Sequence, residues 1–498
     1  MATPIPSNEA RFTLAEIARA TGGTLHAGDD AHEVAGVCTD SRAITPRCLF
    51  VALVGEKHDG HQHVATAEGR GAAAVLVRRG TDSRGPRIEV DDTLVALGRL
   101  ARAFADRVRA LRAVPSVAIT GSAGKTTTKE LTAAAVRAVY GSTLATRGNL
   151  NNLVGVPMTL FTLSDEHRAM VIECGTNARG EIARLGEIVA PDVGVVLNAD
   201  AGHTAGIGGI EDVAIEKGAM FEAARRVAIG NADDPPSRGQ MQRSRGEKLL
   251  FGQGADADVR LLDRTVQSNG MARLRIAMSH RVFAQSSRLD ADRQAAAGER
   301  NLEVSIALPG LAPAIDTCAA LAAIAAMHGA LTVAQLGAIG DALAEVKPTP
   351  GRFAPSAWRD AVIVDDTYNA NPRSVRASIA TAREMADGLG GRLVLVLGDM
   401  LELGELSARL HAEMGQAAVD ARADVLVAVG ADMAHAARAA RSEVPTVVEC
   451  ANTANAAKVL APIVRAKDVI LVKGSRGMRM EGVIAALAGG HEVEKVGP

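Results

Sequence analysis

The stretch Ser116–Thr128, SVAITGSAGKTTT, constrains this chain more than any other: an apolar strand runs through a glycine turn straight into a helix. The pattern is that of a nucleotide phosphate cradle. Gly121 and Gly124 let backbone N–H groups approach phosphate oxygens, Lys125 brings a mobile positive charge, and the Thr126 hydroxyl suits a magnesium ion. The helix predicted from Lys125 through Leu131 and Ala135 to Tyr140 turns its positive dipole end towards the phosphates. A glycine-rich turn before an ordinary surface helix is the bland alternative, and the flanking strand and helix disfavour it.

At 498 residues the chain is long enough for about three domains. Hydrophobic residues make up 47% and charged residues 22%, a composition that supports ample core. Aromatics are only 2%, too few for the stacking platforms of a single-strand binder. With 55 basic against 57 acidic residues there is no polybasic surface for nucleic acid or lipid, and neither is expected as a partner. Cys38, Cys48, Cys174, Cys318 and Cys450 lack CxxC spacing, so reduced thiols are expected rather than disulfides or a zinc site. The start MATPIPS has no basic, apolar signal segment and no run reaches a membrane span; a cytoplasmic protein without membrane insertion is expected.

Three α/β units are predicted. Residues 1–113 mix short strands at 48–53 and 73–77 with helices at 14–21 and 94–110. Val114-Pro115 breaks that pattern, and in 114–346 buried strands such as 169–173 and 193–198 alternate with helices, as in a parallel sheet. Within it, 235–300 is expected to hold short antiparallel strands and surface loops. After Lys347-Pro-Thr-Pro-Gly351, residues 347–498 repeat the alternation in a Rossmann-like, doubly wound unit, which holds ligands beyond the carboxyl ends of its strands. Three residues stand just past strand ends or on the following helix of the central unit: Glu173, His203 and Lys217. Singly they read as a salt-bridge partner, a cap and a solvated lysine on an amphipathic helix; after a phosphate loop they read as an active site, with Glu173 completing a magnesium shell beside Thr126. His61 and His63 are expected to be loop histidines.

Position 119 is Ile where the general phosphate-loop pattern has glycine, and the shorter Thr-Gly-x-x-Gly-Lys-Thr-Thr form resembles that of the Mur ligase superfamily, which makes ATP-driven amide bonds in cell-wall synthesis. Gly148–Pro157, Asp365–Pro372, Gly398–Gly404 and Lys473–Arg476, together with Asp40–Arg42, Leu49–Gly55 and Asp59–His61, are similar to blocks of the branch that joins D-alanyl-D-alanine to UDP-N-acetylmuramoyl-tripeptide. They cover nearly the whole chain in the same order. The resemblance implies a small UDP-binding domain, a central P-loop ATPase domain and a C-terminal ligase domain in a monomer. It implies that Gly121, Ser122, Ala123, Gly124, Lys125, Thr126 and Thr127 bind ATP phosphates. Thr126 and Glu173 would hold one magnesium ion, and His203 and Lys217 a second, with Lys217 carbamylated by carbon dioxide. Arg352 and Asp366 would meet phosphate and ribose, Asp40, Ser41 and Arg42 the uridine end, and Asn149, Asn151, Asn152, Tyr368 and Asn371 the substrates. The segment 308–321 lacks the His and Asn of the family's adenine pocket, so backbone and apolar contacts are expected there, with Asp316 the candidate for a polar role. The competing readings are a ligase adding the third peptide residue, whose Asp-Asn-Pro-Arg block is missing, a folylpolyglutamate-type synthetase, and a P-loop NTPase switch.

Overall fold

Val193–Val196 and Leu393–Gly398 are buried at every position, as parallel strands covered by helices on both faces must be. The computed structural model, described over residues 3–55, 58–200, 207–267, 271–283, 300–329 and 331–488, builds three main sheets from such runs. The first has five strands in the order Thr24–His26, Arg87–Val90, Ala74–Arg78, Leu49–Val51, Val37–Cys38. The last has six, with Ala361–Asp366, Val469–Lys473, Leu393–Gly398, Val425–Val429 and Thr446–Cys450 parallel and Ala354–Trp358 antiparallel at one edge.

The central sheet has nine strands. Ser116–Thr120 lies between Ala169–Glu173 and Val193–Val196, with Ile119 opposite both Glu173 and Val195. Successive crossovers thus fall on opposite sides of Ser116–Thr120, which makes its carboxyl end a topological switch point where a crevice opens. Residues 235–300 hold the expected antiparallel strands, but long ones that belong to the central sheet. Glu247–Gly252 joins that sheet in parallel, Val259–Val266 pairs with it in parallel, and Ala272–Met278 and Arg300–Ile306 then extend it antiparallel. Leu261, Leu274, Ile276, Val304 and Ile306 point inward between arginines, and this period-two alternation buries one face despite the polar composition.

Among the described residues one helix, Leu311–His328, is long and apolar enough to cross a membrane, yet 72% of it is buried inside the protein. It packs between the helix Lys125–Tyr140 and the central sheet. Its alanines allow that close approach.

The two seams between units differ in kind. Apolar side chains of the first and central units form one continuous core, with Phe12, Phe104 and Phe161 in mutual ring contact at 5.7–6.1 Å between centroids. The C-terminal unit keeps separate cores of its own. It meets the centre through ion pairs, Arg373 to Asp234 at 2.7 Å and Arg264 to Glu384 at 2.6 Å. Phe161→Ala should therefore cost about 3–5 kcal/mol in urea unfolding. A loss below about 1 kcal/mol would show that the ring cluster does not carry the first seam.

Candidate active site

The phosphate loop follows Ser116–Thr120, and the helix Lys125–Tyr140 starts as the sequence predicts. Gly124 precedes that helix at φ +84, and no side chain caps its first N–H groups. They remain available to an anion. The Asn198 amide grips the loop from the next strand: Ala123 N–H donates to its Oδ1 at 2.9 Å, and its Nδ2 donates to Ala123 O at 3.1 Å. A side chain at Gly121 would strike Leu197, whose Cβ would be 2.9 Å away.

Lys125 folds back on its own loop, with Nζ donating to Gly121 O at 2.5 Å and to Ser122 O at 3.3 Å. Burial lowers its pKa to about 8, Arg352 pushing the same way and Glu173 opposing. Thr126 Oγ1 donates to Glu173 Oε2 at 3.0 Å, and Asn151 Nδ2 donates to Glu173 Oε1 at 2.7 Å. A buried hydroxyl beside a buried carboxylate is an all-oxygen set that suits magnesium. Lys217 departs from the solvated reading, because its helix Ile210–Ala223 is packed on most sides and the residue is 1% exposed. Burial first, then repulsion from Lys125, depress its pKa well below the ordinary lysine value, against the pull of Glu216 and Glu181. His203 lies outside the described residues. Among the described residues no group of three His, Cys, Asp or Glu side chains forms a metal cluster.

A cavity of about 580 Å³ joins this loop to the C-terminal sheet. Gly124, Lys125, Thr127, Asn149, Asn151, Asn152 and Glu173 line one side, Arg352, Asp366, Tyr368 and Asn371 the other. Arg352 stacks its guanidinium 4.0 Å from the Tyr368 ring centroid. Asp366 is already engaged, since Oδ2 accepts from Lys473 Nζ at 2.7 Å and from Ser378 Oγ at 2.5 Å. Asn371 caps its helix by accepting from Ser374 N–H, and Asn152 Oδ1 accepts from Gly155 N–H in the turn before the helix Gly155–Leu160, at 2.8 Å each. Asn149 pairs with Thr3, its N–H donating to Thr3 Oγ1 at 3.2 Å.

Asp40, Ser41 and Arg42 are not brought to this cavity. They form an exposed turn of the first unit, where Arg42 Nε and Nη2 clasp Asp40 at 2.9 and 2.8 Å and Arg70 donates to Ser41 O at 3.1 Å. The Arg42 bond holds the Asp40 carboxyl below its usual range. His61 and His63 lie on a short 3-10 helix, Gly60–His63, rather than in a loop; His61 is bonded to Asp59 at 2.6 Å and accepts from Arg78 N–H at 3.0 Å. All five cysteines are free thiols.

Sequence reasoning assigned no role to Asn198, quoted Lys473 only as the start of a matching block, and placed Asp316 in the adenine pocket. Asn198 and Lys473 end apolar strands with a polar residue, a signal visible in the chain. Asp316 faces the phosphate loop from the helix Leu311–His328, close enough that a Cβ on Gly124 would lie 2.8 Å from its Oδ1.

With this geometry in view, the comparisons with known proteins are specific. Mur ligase models match in three parts: the family's catalytic domain over residues 33–105, the middle domain over 119–324 and the glutamate ligase domain over 351–476. The UDP-N-acetylmuramoyl-tripeptide--D-alanyl-D-alanine ligase of Escherichia coli (strain K12) is 36% identical over 95% of this chain and 98% of its own. A crystal structure of MurF from Acinetobacter baumannii is 28% identical with a TM-score of 0.81, covering 98% of this chain and 100% of that one. MurF from Thermotoga maritima in complex with ADP is 26% identical with a TM-score of 0.75, over 91% and 97% respectively. The chain belongs to the Mur ligase family.

Burial raises the Asp316 carboxyl to about 7, with a Thr128 hydrogen bond and Arg373 opposing. The folded state then keeps a proton that the unfolded chain loses near pH 3.8, so stability falls as pH rises from about 4 to about 7 and is flat above. Asp316→Asn removes the titration. Its stability relative to the native protein should climb through that window by at most about 4 kcal/mol, read from unfolding at several pH values. A difference that does not change with pH would remove the assignment.

Proposed function

We infer that the chain is an ATP-dependent ligase that joins D-alanyl-D-alanine to UDP-N-acetylmuramoyl-tripeptide through an acyl phosphate, in peptidoglycan precursor synthesis. The observation that carries this reading is the one cavity that has the phosphate loop on one side and the strand-end loops of the C-terminal sheet on the other. A phosphoryl donor and an amine acceptor can meet there.

A free carboxylate is a poor electrophile. Transfer of the γ-phosphoryl group to the peptide's terminal carboxylate activates it; the neutral amine of the dipeptide then attacks the acyl carbon and phosphate leaves. In our reading residues 1–113 hold the UDP end near Asp40, Ser41 and Arg42, residues 114–346 hold ATP, and 347–498 bring the acceptor, all in the cytoplasm. Lys125 leaves the carbonyls of Gly121 and Ser122 to neutralise the transferring phosphoryl group, with the loop N–H groups alongside. Arg352 and Asp366 contribute from the facing wall. Thr126 and Glu173 would hold one magnesium ion, and His203 and Lys217 a second; bound there, magnesium supplies charge that stabilises the transferring phosphoryl group. The depressed basicity of Lys217 supports a further role: its neutral amine adds to carbon dioxide, releasing a proton and leaving an anionic carbamate as an oxygen ligand.

Incubation with ATP, magnesium, D-alanyl-D-alanine and the lysine- or diaminopimelate-containing UDP-tripeptide should yield the UDP-pentapeptide by mass spectrometry. A product with a single amino acid, and none with the dipeptide, would overturn the acceptor. Lys125→Ala should lower turnover by about three orders of magnitude or more while leaving UDP-tripeptide binding nearly intact; near-normal turnover would refute its role. Lys217→Ala should lose most activity and recover part of it with formate or acetate at high concentration. Full activity without added carboxylate would refute the carbamate.

A further inference from the structure

Just behind the cavity wall lies an imidazole with two defined bonds. His411, on the helix Ser407–Asp420, is 0% exposed. Its Nδ1 is 2.7 Å from Ser407 O, a carbonyl that can only accept, so Nδ1 carries the proton. Nε2 is then a bare lone pair, and it accepts from the backbone N–H of Met400 at 2.9 Å. Ser407 Oγ, which donates to Asp432 at 2.9 Å, keeps a lone pair towards Nδ1 at 3.2 Å. The ring is thus locked in one tautomer and one orientation by its own helix.

Met400 opens the turn after the strand Leu393–Gly398, and the next three residues, Leu401, Glu402 and Leu403, line the cavity. The turn is held at two successive amides, Met400 N–H by His411 and Leu401 N–H by Ser475 Oγ at 2.8 Å. Between these holds and Leu403, Glu402 adopts φ +65, a left-handed conformation that a side chain resists and that persists only where its surroundings impose it. Without His411 the buried Met400 N–H would lose its partner, and the turn could relax Glu402 away from this conformation.

The chemistry of the turn matches a small zwitterion. Leu401 is 43% exposed beside a carboxylate, and Arg476, half-exposed and paired with Glu481 at 3.2 Å, stands on the adjoining cavity wall, where a side chain on Gly477 would press Leu401 at 2.7 Å. A dipeptide of two alanines presents one ammonium, two methyl groups and one carboxylate. We propose that His411, from outside the cavity, is a positioning residue that sets the 400–403 turn and thereby the affinity for the acceptor dipeptide. This rests on the ligase reading above.

The test is a set of steady-state KM values for D-alanyl-D-alanine and for ATP in the native enzyme, His411→Leu and His411→Gln. Leucine keeps most of the ring's volume without its bonds. Glutamine can donate to Ser407 O and accept from Met400 N–H. His411→Leu should raise the dipeptide KM about tenfold while the ATP KM changes less than about twofold, and His411→Gln should recover most of the loss. An unchanged dipeptide KM, an equal rise for both substrates, or a glutamine variant as impaired as leucine would overturn the positioning role. Where the leucine variant does not fold, the glutamine variant alone decides, since a dipeptide KM more than about fivefold above native would contradict the two-bond account and a native-like one would support it. A native enzyme that fails to ligate the dipeptide at all would instead overturn the ligase reading.

Discussion

The register of three parallel strands puts a hydroxyl, a carboxylate and a phosphate loop at one level. Because Ile119 pairs with both Glu173 and Val195, the strands around Ser116–Thr120 end together, and the helix that leaves the loop brings Thr126 to within 3.0 Å of Glu173. A slip of one residue would turn Glu173 to the other face of the sheet. A buried carboxylate would then lose Thr126 and Asn151 together, at a cost the fold could not absorb cheaply. The apolar strand faces that seem only to fill space therefore hold the chemistry in line.

Much of this was legible in the chain, and the parts that were not share a cause. The strand Ser116–Thr120 and the helix Lys125–Tyr140 have the limits their residues indicate, because an apolar run, two glycines and a good helix-former sequence all act locally. Lys217 taken singly reads as a solvated lysine on an amphipathic helix, and only the phosphate loop before it marks it as a site residue; its burial comes from neighbouring elements that its own helix does not reveal. Asp316 and His411 likewise owe their settings to other elements, the distant phosphate loop for one and the turn at Met400, eleven residues earlier, for the other. The strands after Val259 were obscured by arginines on their exposed face and by a bulge between Leu261 and Asp263, although Ala272–Ile276 alternates clearly. Local pattern predicts elements; only the packed sheet decides which polar groups become desolvated.

The cavity also brings charges of both signs together along one lining. Lys473 neutralises Asp366, Asn151 and Thr126 serve Glu173, and Arg352 spreads its charge over Tyr368. Lys125 is the exception, holding only carbonyls of its own loop among the bonds described. A cation so placed favours an incoming anion over any internal partner, which is the electrostatic condition for binding a triphosphate.

The unlike seams give the molecule one fixed joint and one adjustable joint. Ring contacts and shared apolar core weld the first unit to the centre, and such contacts respond little to dissolved ions. The C-terminal unit is tied on by two contact pairs, Arg373 with Asp234 and Arg264 with Glu384, each with one partner largely buried and the other reaching solvent, so dissolved ions screen them only in part. Raising the salt therefore weakens the exposed half of the second seam and leaves the first as it was. The two attachments to the central sheet therefore answer to different changes, apolar area on one side and charge on the other.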